Sequence, residues 1–136
     1  MKTLLVLIIG LGLSTSALAQ DLAGDWQLSI ADTHHKMVAT LTIEFTNKDA
    51  QSCMGGDWKQ VKVVSSNALR KGGFPVADPL SYTVQDKQLT IGRVEICDAY
   101  LLLKGALKND AMTGDYYTLG LGGTSSLGSF TLNRTK

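Results

Sequence analysis

Met37-Val38-Ala39-Thr40-Leu41-Thr42-Ile43-Glu44-Phe45 reads as one unbroken alternation. Met37, Ala39, Leu41, Ile43 and Phe45 share one face, and Val38, Thr40, Thr42 and Glu44 share the other. A period of two puts successive side chains on opposite sides of a strand, so this stretch predicts a half-buried strand with a threonine-rich outer face. Upstream, Trp26, Leu28 and Ile30 alternate with Asp25, Gln27 and Ser29 and predict an earlier strand. Downstream, further strands are expected over 58–64, around Tyr82 and Val84, and over 88–94, 99–107, 112–119 and 128–134. Leu101-Leu102-Leu103 makes the 99–107 strand apolar on both faces. Asp86-Lys87 and Asn109-Asp110 supply tight turns.

Helical periodicity is almost absent. Eight short strands in sequence, mostly joined by tight turns, predict an all-β chain: an antiparallel up-and-down eight-stranded barrel. Closure protects the edges of such a sheet. Eight strands leave an interior just wide enough to fill with side chains or to hold one small ligand. A β-sandwich is the competing architecture. Two stretches interrupt the pattern. Residues 65–80 lack alternation and contain Arg70, Lys71, Gly72, Gly73, Phe74, Pro75 and Pro79, and a loop that long in a compact domain is usually functional or disordered. Residues 120–126 read as a flexible hairpin connection.

The N-terminus has a different character. Lys2 is followed by an uncharged apolar run from Leu4 to Leu13 and by Ala17-Leu18-Ala19, the order of a cleavable secretory signal peptide. The run falls short of the roughly 20 residues a membrane helix needs. Residues 1–19 are therefore expected to be the leader and 20–136 a single β-barrel domain, periplasmic or secreted, with no membrane span after cleavage. Loss of Lys2 leaves 12 Lys and Arg against 12 Asp and Glu. Charges of both signs are interspersed without a basic stripe, which argues against nucleic acid as a partner. Cys53 and Cys97 are the only cysteines. An even count in an exported chain predicts a disulfide. Closing a loop of about 45 residues stabilises by on the order of 4 kcal/mol in the chain-entropy model.

Gly24-Asp25-Trp26 on the first strand and Arg134 on the last resemble the calycin pattern, shared by lipocalins, avidins and the small bacterial inhibitors of secreted metalloproteases. The resemblance implies that Trp26 plugs one barrel end with the Arg134 guanidinium across its ring, a structural role. The opening Asp21-Leu22-Ala23-Gly24-Asp25-Trp26 is similar to the start of the inhibitor family. The cysteine positions and the long middle loop do not follow that family, and two tryptophans are fewer than an avidin-type site uses.

No catalytic or cofactor motif stands out, and no catalytic residue, cofactor or metal is assigned. His34-His35 lie in a polar stretch between two strands and read as a solvated turn. Asp57, Glu95, Asp98 and Asp115 are ordinary surface acids in number and setting, although a pair converging in one cleft would suit a hydrolase. Gly120-Leu121-Gly122-Gly123 lacks the Lys-Ser/Thr of a phosphate loop. Arg70 and Phe74 in the long loop, and Tyr82, Tyr100 and Tyr116 on strands, are the candidate contacts for a ligand or partner. Phe74 either projects from the loop tip or folds back over a barrel end.

The expected function is that of a non-enzymatic exported binding protein. The first expectation is that it holds a small apolar or amphipathic molecule in the barrel mouth, under the 65–80 loop as a lid. The alternative is an inhibitor or interaction module that engages an envelope or secreted protein. A filled interior favours the second.

Overall fold

The computed structural model describes residues 21–136. The leader assigned to residues 1–19 lies outside the described residues. Eight strands follow in chain order: β1 (Asp25–Asp32), β2 (Met37–Asp49), β3 (Lys59–Ala68), β4 (Leu80–Gln85), β5 (Gln88–Arg93), β6 (Tyr100–Ala106), β7 (Ala111–Gly120) and β8 (Gly123–Arg134). Each pairs antiparallel with the next, and β8 returns to β1, so the sheet is a closed barrel. The sandwich alternative is excluded by that last pairing, which runs from Trp26 opposite Arg134 to Asp32 opposite Gly128.

Alternation sorts the strands into an inner and an outer face. Trp26, Leu28 and Ile30 of β1, Leu41 and Ile43 of β2, Leu89 and Ile91 of β5, Leu103 of β6, Met112 and Tyr116 of β7, and Phe130 and Leu132 of β8 form one continuous core. The interior is therefore filled by its own side chains. In β2 the alternation shifts at the start of the strand. A register irregularity opposite Ile30 and Ala31 leaves Met37 exposed and buries Val38, the reverse of the sequence expectation.

Two boundaries differ from the sequence reading. β3 continues through Ser65–Ala68, which the sequence assigned to the long loop. Ser65, Ser66 and Asn67 pair through their backbones with Thr42, Leu41 and Thr40, so the ladder forms although the side chains carry no apolar period. Likewise β7 and β8 extend to Gly120 opposite Gly123, and residues 120–126 are a paired hairpin with a two-residue turn.

A second, smaller apolar cluster lies outside the barrel. Leu102 and Val94 pack with Trp58, and Met54, Tyr100, Tyr117 and Leu119 close around them. Leu102 has the opposite parity to the inward Leu101 and Leu103, which explains why β6 is apolar on both faces. The β2–β3 connection is folded back onto this outer face. The Cys53 N–H donates to the Val94 carbonyl at 2.9 Å, and the Cys53–Cys97 disulfide fastens it, with 5.5 Å between the Cα atoms. Such a bond is stable in an oxidising compartment outside the cytoplasm.

Candidate functional site

The end at which β1 begins is stoppered. Trp26 is fully buried, and its indole N–H donates to the Leu22 carbonyl at 3.1 Å. The Arg134 guanidinium stacks on the indole, 4.3 Å from the ring centroid to Cζ. It also bonds the Asp110 carboxylate and the carbonyls of Asp21, Ala23 and Asn109. A planar group with five donors suits this place, because it covers an aromatic face and satisfies chain-end carbonyls together. Phe45 meets Trp26 edge-on at 6.0 Å and Tyr82 at 4.9 Å, and the Tyr82 hydroxyl donates to the Thr46 carbonyl. Burial raises the Tyr82 pKa above the ordinary phenol value, partly opposed by Lys59.

The opposite end is the open one. It carries the β1–β2 turn, the β3–β4 loop, the β5–β6 connection and the β7–β8 hairpin. A cleft of about 400 Å³ opens here between Asp32, Thr33, His34, Arg70 and Lys71 on one side and Leu101, Tyr116, Ser126 and Leu127 on the other. Val38 contributes to its apolar lining. Phe74 does not project into solvent. It folds back into the barrel, 4% exposed, and meets Tyr116 edge-on at 5.6 Å. The Tyr116 hydroxyl donates to the Gly73 carbonyl at 3.0 Å and holds the loop down. Gly73 is required there, because a Cβ would stand 2.7 Å from that of Val38. Burial raises the Tyr116 pKa, an effect partly opposed by Arg93.

Asp32 organises the rim. Its carboxylate accepts the His34 and Lys36 N–H groups at 2.9 and 3.0 Å and Arg70 Nη1 at 2.9 Å. The Lys36 N–H is the largest cause holding its pKa below the usual carboxylate value; desolvation opposes it, and His34 and Arg70 add to it. His35 adopts a positive φ of 61° to complete the turn, and the histidine pair occupies an exposed turn. Arg70 is thus neutralised by Asp32, whereas Lys71 has no ion-pair partner among the described residues. Nearby, Arg93 ties the β3–β4 loop to the β5–β6 connection through Asp78 Oδ2 at 3.0 Å and the Ala99 carbonyl at 3.1 Å.

The five sequence-assigned contacts therefore divide. Arg70, Phe74 and Tyr116 gather at the open end, Phe74 as packing rather than as a projecting contact. Tyr82 stands at the stoppered end, and Tyr100 lies outside the barrel in the Trp58 cluster. Sequence reasoning noted Lys71 only as a basic neighbour of Phe74, and did not single out Asp32, Leu127 or Ser126 as cleft residues. For Asp32 the signal was present, since an Asp two residues before His34 at a strand end is an Asx-turn former. Each of three surface clefts contains a single carboxylate: Asp32 here, Asp115 on the outer face of β5–β8, and Asp57 beside β4. Comparison with known proteins found no matching family model, no matching curated protein and no matching solved structure.

Proposed function

We propose that this is an exported, non-enzymatic protein-binding module whose contact face is the open end of the barrel. The observation that carries this reading is the filled interior. Leu28, Ile30, Leu41, Ile43, Leu103, Phe130 and Leu132 occupy the space in which a carrier would hold its cargo, and Phe74 closes it from above. The calycin-like opening and the similarity of Asp21–Trp26 to the metalloprotease inhibitors support an inhibitor among such modules. The leader-like residues 1–19 and the disulfide support export. At the open end, apolar walls from Val38, Leu101 and Leu127 lie beside the Asp32–Arg70 ion pair and Lys71, which has no ion-pair partner among the described residues. This mixture suits an apolar side chain flanked by an acidic group on a partner.

A photo-reactive residue at position 71, introduced in the exporting cell, tests the contact face. A protein adduct from position 71 but not from position 131, exposed on β8 away from the cleft, is the expected outcome. Equal labelling from both positions, or none from position 71, would sink the reading. A second reading rests on the cleft itself. Its volume of about 400 Å³ suits a small amphipathic anion held in the mouth alone.

A further inference from the structure

Three lysines stand directly opposite an acid across a strand ladder: Lys59 with Asp49, Lys62 with Glu44, and Lys104 with Asp115. Directly opposed residues of unlike charge are near enough to pair. The first two close into ion pairs, Lys62 reaching Glu44 at 3.0 Å. Lys104 and Asp115 do not. Neither has an ion pair or a side-chain hydrogen bond among the described residues. Two exposed charges of opposite sign are left open side by side on the outer face of the barrel.

Both charges lie in a groove of about 850 Å³ on the outer face of β5–β8. The outside of a barrel is ordinarily convex, and a pair of glycines accounts for the hollow. Gly105 stands opposite Gly114, on the inward parity of their strands. With no side chain beneath them, the strands settle onto the core, and a Cβ on Gly114 would stand 2.6 Å from Phe130 Cε1. Tyr117 forms one wall of the groove and is held there by the Trp58 cluster on which it packs. Gln88, Thr113, Thr124 and Ser126 add an amide and three hydroxyls, and none of these side chains bonds another described residue. Ala106 is the one aliphatic side chain in the lining. Every lining residue belongs to a strand, so the groove is formed before any ligand arrives.

We propose that this groove is a second binding site and that its ligand is a neutral saccharide. A hydroxyl can both donate and accept. Of two neighbouring ring hydroxyls, one can donate to the Asp115 carboxylate while the other accepts from the Lys104 ammonium. The two charges cancel, so an anion would meet Asp115 and a cation would meet Lys104. An apolar ligand would find only Ala106 and the Tyr117 ring. That ring is an apolar face with a polar tip, suited to the C–H face of a sugar. A small zwitterion could engage both charges, but it would leave Gln88, Thr113, Thr124 and Ser126 unused. The groove is shallow and its contacts are few, so binding is weak, in the millimolar range, and is lost on purification. The site is separate from the open-end contact face, although Ser126 borders both.

The test is a titration of the purified mature protein, read from its amide NMR spectrum, with three neutral oligosaccharides at millimolar concentration: chitotetraose, cellotetraose and maltotetraose. At least one should shift the amides of Lys104, Thr113, Asp115 and Tyr117 and leave those of Lys71 and Gly73 unmoved. Asp115→Ala and Lys104→Ala change exposed side chains and should keep the folded spectrum. Each should nevertheless raise the dissociation constant by about tenfold or more, through loss of a charge-assisted hydrogen bond. Glycine, a zwitterion without hydroxyls, should leave the groove amides where they are. The proposal is overturned by no shift with any of the three, by shifts confined to the open-end cleft, or by an affinity that both variants leave unchanged. A response to glycine equal to that for the saccharides overturns it as well.

Discussion

Arg134 serves several contacts at once at the stoppered end. It joins the last strand to the N-terminal arm through the Asp21 and Ala23 carbonyls, meets Asp110 and Asn109 in the β6–β7 turn, and covers Trp26. Lysine keeps the charge but loses the plane and the fork. Arg134→Lys should therefore destabilise the barrel by about 1–3 kcal/mol, read from the urea midpoint at unchanged slope. Ser81 makes the opposite case. It is fully buried on the outer face of β4, and its hydroxyl has no hydrogen-bond partner. Removing an unsatisfied buried polar group recovers part of its desolvation cost, so Ser81→Ala should stabilise by about 0.5–1 kcal/mol. A lower midpoint would show that the hydroxyl is satisfied in solution. The Trp26–Arg134 pair was legible through the calycin resemblance; alternation placed both residues on strands but did not bring them together. The role of Ser81 was not legible, since a lone serine between Leu80 and Tyr82 looks like any outward strand residue.

At the scale of the element, the β2–β3 connection behaves as a strap. It carries Met54 and Trp58 onto Leu102 and Val94, and the disulfide fixes its far side to the β5–β6 connection. Replacing both cysteines, Cys53→Ser with Cys97→Ser, should cost about 2–4 kcal/mol. The loss should be uneven. Trp58 fluorescence should become accessible to quenchers at lower urea than Trp26, because the outer cluster can open while the barrel stays closed. Coincident transitions for the two tryptophans would contradict a separable strap. The sequence announced the disulfide by cysteine count, and Leu101-Leu102-Leu103 marked β6 as apolar on both faces without showing what covers the outer one. The strap's position stayed hidden, since Ala50–Trp58 has no period to read. Ser65–Ala68 was hidden for a related reason: their pairing with β2 is made by backbone groups, which leave no side-chain pattern. The cleft residues were only partly visible, because the β3–β4 loop and β7 come together across the open end, through Tyr116 and Gly73, and not through proximity in the chain.

At the scale of the whole molecule, closure leaves a solid barrel with one stoppered and one open end. Its packing makes stability depend on keeping tyrosines neutral. Burial raises Tyr116, Tyr82 and Tyr117 above the ordinary phenol value of 10.0, opposed by Arg93 at Tyr116 and by Lys59 at Tyr82, and reinforced by Asp115 at Tyr117. The folded state thus favours the protonated phenol. That contribution is complete below the unfolded value and is lost as pH rises through about 10 towards the raised folded value. Tyr116→Phe should therefore flatten the alkaline fall in stability between about pH 9 and 11, while lowering the neutral-pH midpoint through the lost bond to Gly73. An equally steep fall in both proteins would mean that Tyr116 does not contribute.

Native mass spectrometry tests most directly whether the barrel is packed solid. The mature protein would be purified from its own compartment and weighed before and after denaturation. A solid barrel predicts the bare polypeptide mass, less two hydrogens for the Cys53–Cys97 bond, in both spectra. A stoichiometric excess that disappears on denaturation would contradict it, and would make the chain a carrier of the small molecule released.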